Sequence, residues 1–126
     1  MQRDARNSVL RTRRSLTKAE ILRKRRDITR VFTKGNTYRT TGLHMRVVEN
    51  DLSWSRVLVT TTRAFSGAVT RNRARRHLRE AYCLVKQDIQ GHYDIAFVVY
   101  PGSHDFTERQ IQVRKLLQRA GLVPPG

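Results

Sequence analysis

The sequence is poor in cysteine, proline, tryptophan and acidic residues. Its 126 residues include one Cys, three Pro, one Trp and ten Asp or Glu. A single cysteine excludes an intrachain disulfide, and its scarcity favours a reducing cytoplasmic location. No apolar run approaches the roughly 20 residues that a membrane-spanning helix needs, so we expect no membrane partner. Residues 1–15 lack the apolar centre of a secretory signal, and we interpret them as a basic flexible tail.

Most of the charged residues in the sequence are basic. Lys and Arg number 26 against 10 Asp and Glu, which gives a formal net charge of +16. Because like charges repel one another in a folded chain, this excess indicates a polyanionic partner, with nucleic acid favoured over an anionic membrane surface. The hydrophobic fraction of 38% suffices for one core. We therefore expect residues 16–126 to form a single domain.

Hydrophobic periodicity and capping residues predict three helices and three strands. Helices are expected at about 18–34, at 69–90 and from Thr107 onward, with capping boxes at Thr17 to Glu20 and Thr107 to Gln110. Strands are expected at 43–49, 56–62 and 94–100. The first two strands are predicted to form an antiparallel pair, and the third, apolar along nearly its whole length, to be central. For residues 63–68 the sequence permits either a loop or a short additional strand.

This element order predicts an α+β fold, in which three helices pack on a small mixed sheet. A strict alternation of strands and helices would instead predict a doubly wound fold.

The most informative segment is 70–82, TRNRARRHLREAY. Guanidinium groups bind phosphate in a bidentate geometry, and a helix N-terminus adds backbone N–H groups and a favourable dipole. Only Glu80 and Asp88 are close enough in sequence to neutralise these arginines. The alternative is a basic face that is simply solvated.

This segment resembles the signature helix of the bacterial ribonuclease P protein family. The resemblance rests on Arg71-Asn72-Arg73 followed by Arg75, Arg76, Leu78, Arg79, Glu80, Ala81 and Tyr82. Residues 27–35, 56–59 and 67–69 are also similar to that family, and the similarity extends over about 18–120. It implies a two-layer α/β sandwich like the second domain of ribosomal protein S5, with an unusual left-handed βαβ crossover.

The resemblance also implies the function. The chain would be the protein subunit of ribonuclease P, which binds a catalytic RNA and the 5′ leader of precursor tRNA, and promotes removal of the leader to give the mature 5′ end. Catalysis would come from Mg²⁺ held mainly by the RNA. No catalytic residue, no metal bound by protein side chains alone and no obligate protein partner are expected of this chain.

Site residues follow from the matching positions. RNA contacts are expected from Arg63, Arg71, Asn72, Arg73, Arg75, Arg76 and Arg79. The leader cleft is expected to include Phe32, Arg46 and Ile28. The family commonly has aromatic residues where this chain has Ile28 and Arg46, so leader binding here is expected to depend more on charge and less on base stacking. For Phe32, packing in the core is the alternative to a place in the cleft.

Three other functions fit the sequence less well. An independent two-metal nuclease needs converging carboxylates, whereas the acidic residues here are scattered and the four histidines lack metal-ligand spacing. A helix-turn-helix DNA-binding protein needs a second helix within a few residues of the first, but strands flank the arginine-rich helix. A ribosomal protein shares the size and basicity, and would lack the leader cleft.

Overall fold

The computed structural model describes residues 16–125, so the predicted basic tail at 1–15 lies outside the described residues. The strands are β1 (Asn36–Thr40), β2 (Leu43–Glu49), β3 (Arg56–Thr61) and β4 (Tyr93–Val99). The helices are α1 (Arg25–Lys34), α2 (Ala68–Val85) and α3 (Phe106–Arg119), with 3-10 turns at Lys18–Glu20 and Lys86–Asp88. The prediction of an α+β fold with three helices on a small mixed sheet is confirmed.

The apolar run near the C-terminus forms the interior strand β4. The sheet order is β1-β2-β4-β3. Ile95 and Phe97 face one side of the sheet and Ala96 the other, and all three are fully buried. A strand covered on both faces reads as a continuous apolar segment, which is why its central position was predictable.

The predicted antiparallel pairing of β2 with β3 is wrong. Each of these strands pairs with β4, β2 in antiparallel and β3 in parallel orientation. Strands β2 and β3 thus flank β4, the strand whose two faces are apolar. Helix α2 makes the crossover connection from β3 to β4. The left hand predicted for that crossover stays a prediction.

Strand β1 was missed because its composition is polar. Its residues NTYRT lie at the sheet edge and pair with β2 across a two-residue turn at Thr41 and Gly42. Gly42 has a φ of 75°, a conformation that glycine adopts without steric cost. A glycine in a two-residue connection was the available signal for this hairpin. Residues 63–67 form turns and bends, and no extra strand is present there.

The first long helix begins at Arg25, later than predicted. The capping box of Thr17 and Glu20 is present, but it caps only the short 3-10 turn and not the long helix. The chain then runs along the edge of β3, where the Leu22 N–H donates to the Val57 carbonyl at 2.9 Å. An edge strand leaves backbone groups unpaired, and this hydrogen bond satisfies one of them at the expense of a longer helix.

The other helix boundaries differ less from the prediction. Helix α2 ends at Val85 rather than residue 90. Helix α3 has its capping box at Asp105 and Glu108, two residues before the predicted one. The Asp105 carboxylate accepts from the Glu108 N–H at 2.8 Å, since a short carboxylate is among the best N-cap groups.

The sheet separates two apolar clusters. The larger cluster joins one sheet face to α2 and α3 through residues such as Met45, Phe97, Leu78 and Leu116. The smaller cluster lies on the other face beneath α1 and contains Val31 and the partly buried Ile28 and Phe32. Helix α1 therefore lies on the sheet face opposite to α2 and α3. None of the described helices is long and apolar enough to cross a membrane.

Candidate nucleic-acid interface

Helix α2 buries one side and leaves its arginines on the other sides. Leu78, Ala81, Tyr82 and Val85 face the sheet and are buried. The arginines of α2 are exposed at positions 73, 76 and 79 and half-buried at positions 71 and 75. A helix must bury an apolar stripe to stay on a sheet, and this stripe fixes which side chains remain available to a partner.

None of these five arginines forms an ion pair with any carboxylate among residues 16–125. Among residues 16–125, these guanidinium groups form one hydrogen bond with the protein, from Arg75 Nη2 to the side-chain oxygen of Asn72 at 3.2 Å. Arg63, in the turn before α2, is likewise exposed and outside any of these ion pairs. We call the predicted RNA-binding residues, which are the five arginines of α2 with Asn72 and Arg63, the α2 surface; none of its arginines is neutralised by a carboxylate of the described residues.

The three predicted cleft residues lie together on the opposite face of the sheet. Arg46 on β2 donates from Nη1 to the Phe32 carbonyl at 2.8 Å. Its guanidinium carbon lies 5.5 Å from the centroid of the Phe32 ring, within the range of a cation–π contact. Ile28 packs in the same small cluster, and all three side chains are half-buried. We call this group the α1 cleft.

The structure does not bring the two predicted sets of residues together. The α2 surface belongs to the helical layer on one side of the sheet, and the α1 cleft lies on the other side. A partner that contacts both would need two separate segments, one on each side of the sheet.

His44 and Tyr100 were not predicted, and they extend the α1 face of the sheet. His44 precedes Arg46 by two residues on β2, so both side chains point to the same face. The Tyr100 hydroxyl lies 3.2 Å from His44 Nδ1, and the two rings are 4.6 Å apart. Burial, followed by the charges of Arg39 and Arg46, lowers the pKa of His44. His44 therefore keeps its ring neutral to lower pH than an exposed histidine does.

Asp94 is a buried anion that sequence reasoning also missed. Its side chain is fully buried and accepts from Arg56 at 2.7 and 2.9 Å and from Asn50 at 2.9 Å. Arg56 also reaches Asp27 of α1 at 3.1 Å. The hydrogen bond to Asp94 is the main reason that the pKa of Arg56 is raised. This network attaches α1 to the sheet, and an Asp inside an apolar strand was its signal.

Comparison with known proteins identifies the family. The family model Ribonuclease P matches residues 16–121. The chain is also 33% identical over 111 residues to a ribonuclease P protein component from Clostridium novyi (strain NT), covering 85% of this chain and 98% of that protein. The chain belongs to the ribonuclease P protein family.

Solved structures of the family share the fold. The Staphylococcus aureus RNase P protein superimposes with a TM-score of 0.75 at 21% identity, over 84% of this chain and 99% of that one. The RNase P protein from Thermotoga maritima, solved in complex with 1-(4-fluorophenyl)-2-thiourea, gives a TM-score of 0.69 at 27% identity. That superposition covers 78% of this chain and 97% of that one.

Residues 16–125 contain no group of three or more His, Cys, Asp or Glu side chains placed to hold a metal ion. Cys83 is fully buried, and burial raises the pKa of its thiol, which disfavours the reactive thiolate. What the geometry provides is cationic and aromatic surface.

Proposed function

We propose that this chain is the RNA-binding protein subunit of a ribonuclease P ribonucleoprotein that removes the 5′ leader of precursor tRNA in the cytoplasm. The observation that carries the proposal is the α2 surface, where five arginines on one helix lack any carboxylate partner among the described residues. Phosphates of a bound RNA would neutralise these charges and release counterions.

The two surfaces would bind different RNAs. The α2 surface would bind the catalytic RNA through phosphate contacts from Arg63, Arg71, Asn72, Arg73, Arg75, Arg76 and Arg79. The α1 cleft would hold the leader, with the Phe32 ring available for stacking and Arg46 supplying charge beside it. Because Arg46 occupies one side of Phe32, a nucleobase would stack against the remaining exposed part of the ring.

The hydrolytic step would belong to the RNA. Mg²⁺ polarises a phosphoryl oxygen and lowers the pKa of a bound water. The described residues do not fit a Mg²⁺ site, because carboxylates and imidazoles are not grouped there. We therefore assign the metal to the RNA and derive no step through it on this chain.

The proposal is tested by the salt dependence of binding to a bacterial ribonuclease P RNA. Arg73→Ala and Arg76→Ala each remove an exposed guanidinium. Each lost phosphate contact should weaken binding and flatten the plot of log affinity against log salt by roughly 0.7–0.9. The matched control is Arg114→Ala on α3, whose partly exposed side chain pairs with Asp88 at 3.1 Å.

Circular dichroism should show all three variants folded, and the control should keep the salt slope of the parent protein. An unchanged slope for both α2 variants would refute the assignment of the α2 surface to RNA phosphates. Equal binding to a ribosomal RNA fragment of the same length would favour the ribosomal-protein alternative.

A further inference from the structure

A cavity lies at the C-terminal end of α2, and none of its lining residues belongs to the α2 surface or the α1 cleft. Its volume is about 320 Å³. The lining comes from the two 3-10 turns, from α2, from the connection between β2 and β3 and from the approach to β4, and it includes Glu20, Trp54, Tyr82, Lys86, Gln87 and His92. Small-molecule sites typically measure about 300–1,000 Å³, so this cavity suits a single ring system rather than a larger ligand.

Trp54 provides a fixed aromatic surface at this cavity. Its indole Nε1–H donates to the Ala19 carbonyl at 2.8 Å, and its own carbonyl accepts from the Asn50 side chain at 3.2 Å. The residue is nonetheless 40% exposed. Because the one polar atom of the indole is already bound, the exposed part of the ring can offer a partner stacking and apolar contact but no hydrogen bond.

The Tyr82 hydroxyl supplies an unused hydrogen-bonding group in the same cavity. The Tyr82 ring is buried and packs edge-on against Phe97, with the ring centroids 6.1 Å apart. Its hydroxyl forms no hydrogen bond with any of residues 16–125. Burial, followed by the charge of Glu20, raises the pKa of Tyr82, so the hydroxyl keeps its proton and can donate. A buried tyrosine normally places its hydroxyl against a partner, so this one indicates a partner that enters the cavity.

The charges in the lining disfavour an anion. Lys86 Nζ lies 3.0 Å from Glu20 Oε2, so the ammonium and the carboxylate neutralise each other. A phosphate offers only acceptor oxygens, and the Glu20 carboxylate would repel it. Tyr82, Gln87 and His92 together offer donors and acceptors, the combination that the edges of a nucleobase use. A neutral planar ring with a polar edge therefore matches the cavity better than a phosphate does.

The cavity also lies where an RNA strand on the α2 surface would continue. Arg79 is the last arginine of that surface, and its side chain is exposed. Lys86 in the cavity lining follows Arg79 by two helical turns, which is about 10 Å along the helix axis. Residues two turns apart lie on nearly the same side of a helix. A strand whose phosphates contact Arg79 would therefore bring its neighbouring nucleotides within reach of the cavity.

From these observations we propose that the cavity receives one unpaired nucleobase of an RNA strand bound along α2. The base stacks on Trp54, and its polar edge forms hydrogen bonds with the Tyr82 hydroxyl and with Gln87 or His92 at the rim. This inference rests on the proposed function, because the strand reaches the cavity from the α2 surface. It adds a base-binding site to a surface that is proposed to contact phosphates.

The test uses the fluorescence of Trp54, which reports directly on this cavity because the chain has one tryptophan. The purified full-length chain is titrated with single-stranded decauridine and with an abasic ribose-phosphate strand of the same length. Calorimetry measures the two affinities. We expect both strands to bind, because both carry phosphates, and only decauridine to change the Trp54 emission, because only decauridine has bases. An equal change with both strands would overturn the proposal.

Variants test the individual contacts. Trp54→Ala should weaken decauridine binding about tenfold, within the range for one stacked base, whereas Trp54→Phe should keep most of the affinity because its ring still stacks. Tyr82→Phe removes only the hydroxyl and should weaken binding about threefold. The matched control is Leu84→Ala, since Leu84 on α2 is 39% exposed and lies outside the cavity lining. The control should bind decauridine like the parent chain, and none of these variants should bind the abasic strand differently.

Salt-dependent binding of a bacterial ribonuclease P RNA separates failure of this inference from failure of the proposed function. If that RNA binds but decauridine leaves the Trp54 emission unchanged, the base site is overturned and the RNA-binding function stands. Undiminished decauridine binding by folded Trp54→Ala would overturn the base site as well. If the ribonuclease P RNA does not bind, the proposed function and this inference fail together. Circular dichroism checks the fold, and if Trp54→Ala is unfolded, Tyr82→Phe and the emission of the parent chain decide.

Discussion

At the scale of single residues, Phe32 is where leader recognition and core packing are hardest to separate. The ring is half-buried in the α1 cleft and contacts the Arg46 guanidinium. The Phe32 side chain is therefore neither fully buried in the core nor freely exposed to solvent. Its removal should affect both stability and binding, and the sizes of the two effects distinguish the roles.

We predict that Phe32→Ala lowers the free energy of unfolding by less than the about 3–5 kcal/mol typical of a fully buried Phe. The holoenzyme should bind precursor tRNA more weakly by about 1–3 kcal/mol, the worth of one stacked base. Binding of mature tRNA, which lacks the leader, should not change. The control Val31→Ala, at a fully buried position of the same helix, should lower stability without selective loss of precursor binding. Equal weakening for both tRNAs would assign Phe32 to the scaffold.

His44 supplies a prediction on pH. Burial and the charges of Arg39 and Arg46 lower its pKa from 6.5. The unfolded chain therefore takes up a proton near pH 6.5, while the folded chain takes it up only at lower pH. Acid thus favours unfolding, and this group should reduce the free energy of unfolding as pH falls below about 6.5.

Proton NMR titration of the His44 ring measures this directly. Arg46→Gln should raise the pKa of His44 toward its ordinary value, because one of the repelling charges is removed. Arg114→Gln should leave that pKa unchanged. A pKa for His44 at or above 6.5 in the parent chain would contradict the account.

At the scale of elements, the Asp94 network is one of the attachments of α1 to the sheet, through Arg56 and Asp27. Asp94→Ala would leave Arg56 and Asn50 without their shared acceptor. Removing one partner of a buried ion pair costs about 3–5 kcal/mol, and partial exposure of Arg56 places the expected loss near 3 kcal/mol. Denaturant unfolding measures it. The control Asp88→Ala breaks an exposed pair with Arg114 and should cost less than about 1 kcal/mol. Similar losses for the two variants would show that the network does not hold α1.

The elements also show what could be predicted from the sequence. The central place of β4 followed from an apolar run with both faces covered, and the exposed arginines of α2 followed from helical periodicity. Strand β1 was missed because an edge strand needs no apolar face. The early start given to α1 came from a real capping box, whose turn is ended by the hydrogen bond of Leu22 to Val57. Hydrophobic periodicity reports on residues close in sequence, so it cannot predict a hydrogen bond between residues that are far apart in the chain.

The same limit applies to the candidate site. Arg71, Arg73 and Arg76 were recognisable from their density, and the resemblance to a family placed Phe32. The Asp94 network joins residues from separate elements, so no single segment carries its pattern.

At the scale of the whole molecule, the sheet separates the α2 surface from the α1 cleft. The net charge of +16 favours a polyanionic partner, and the α2 surface and the α1 cleft present different side chains on opposite sides of the sheet. This arrangement is consistent with the proposed binding of catalytic RNA on one side and of the leader strand on the other.

The most direct test of this account is reconstitution. Purified chain and a bacterial ribonuclease P RNA, alone and together, are incubated with precursor tRNA at a Mg²⁺ concentration too low for the RNA to act alone. The account predicts that neither component cleaves by itself and that the mixture releases the leader to give the mature 5′ end. Cleavage by the RNA-free protein, or no stimulation of the RNA by the chain, would contradict it.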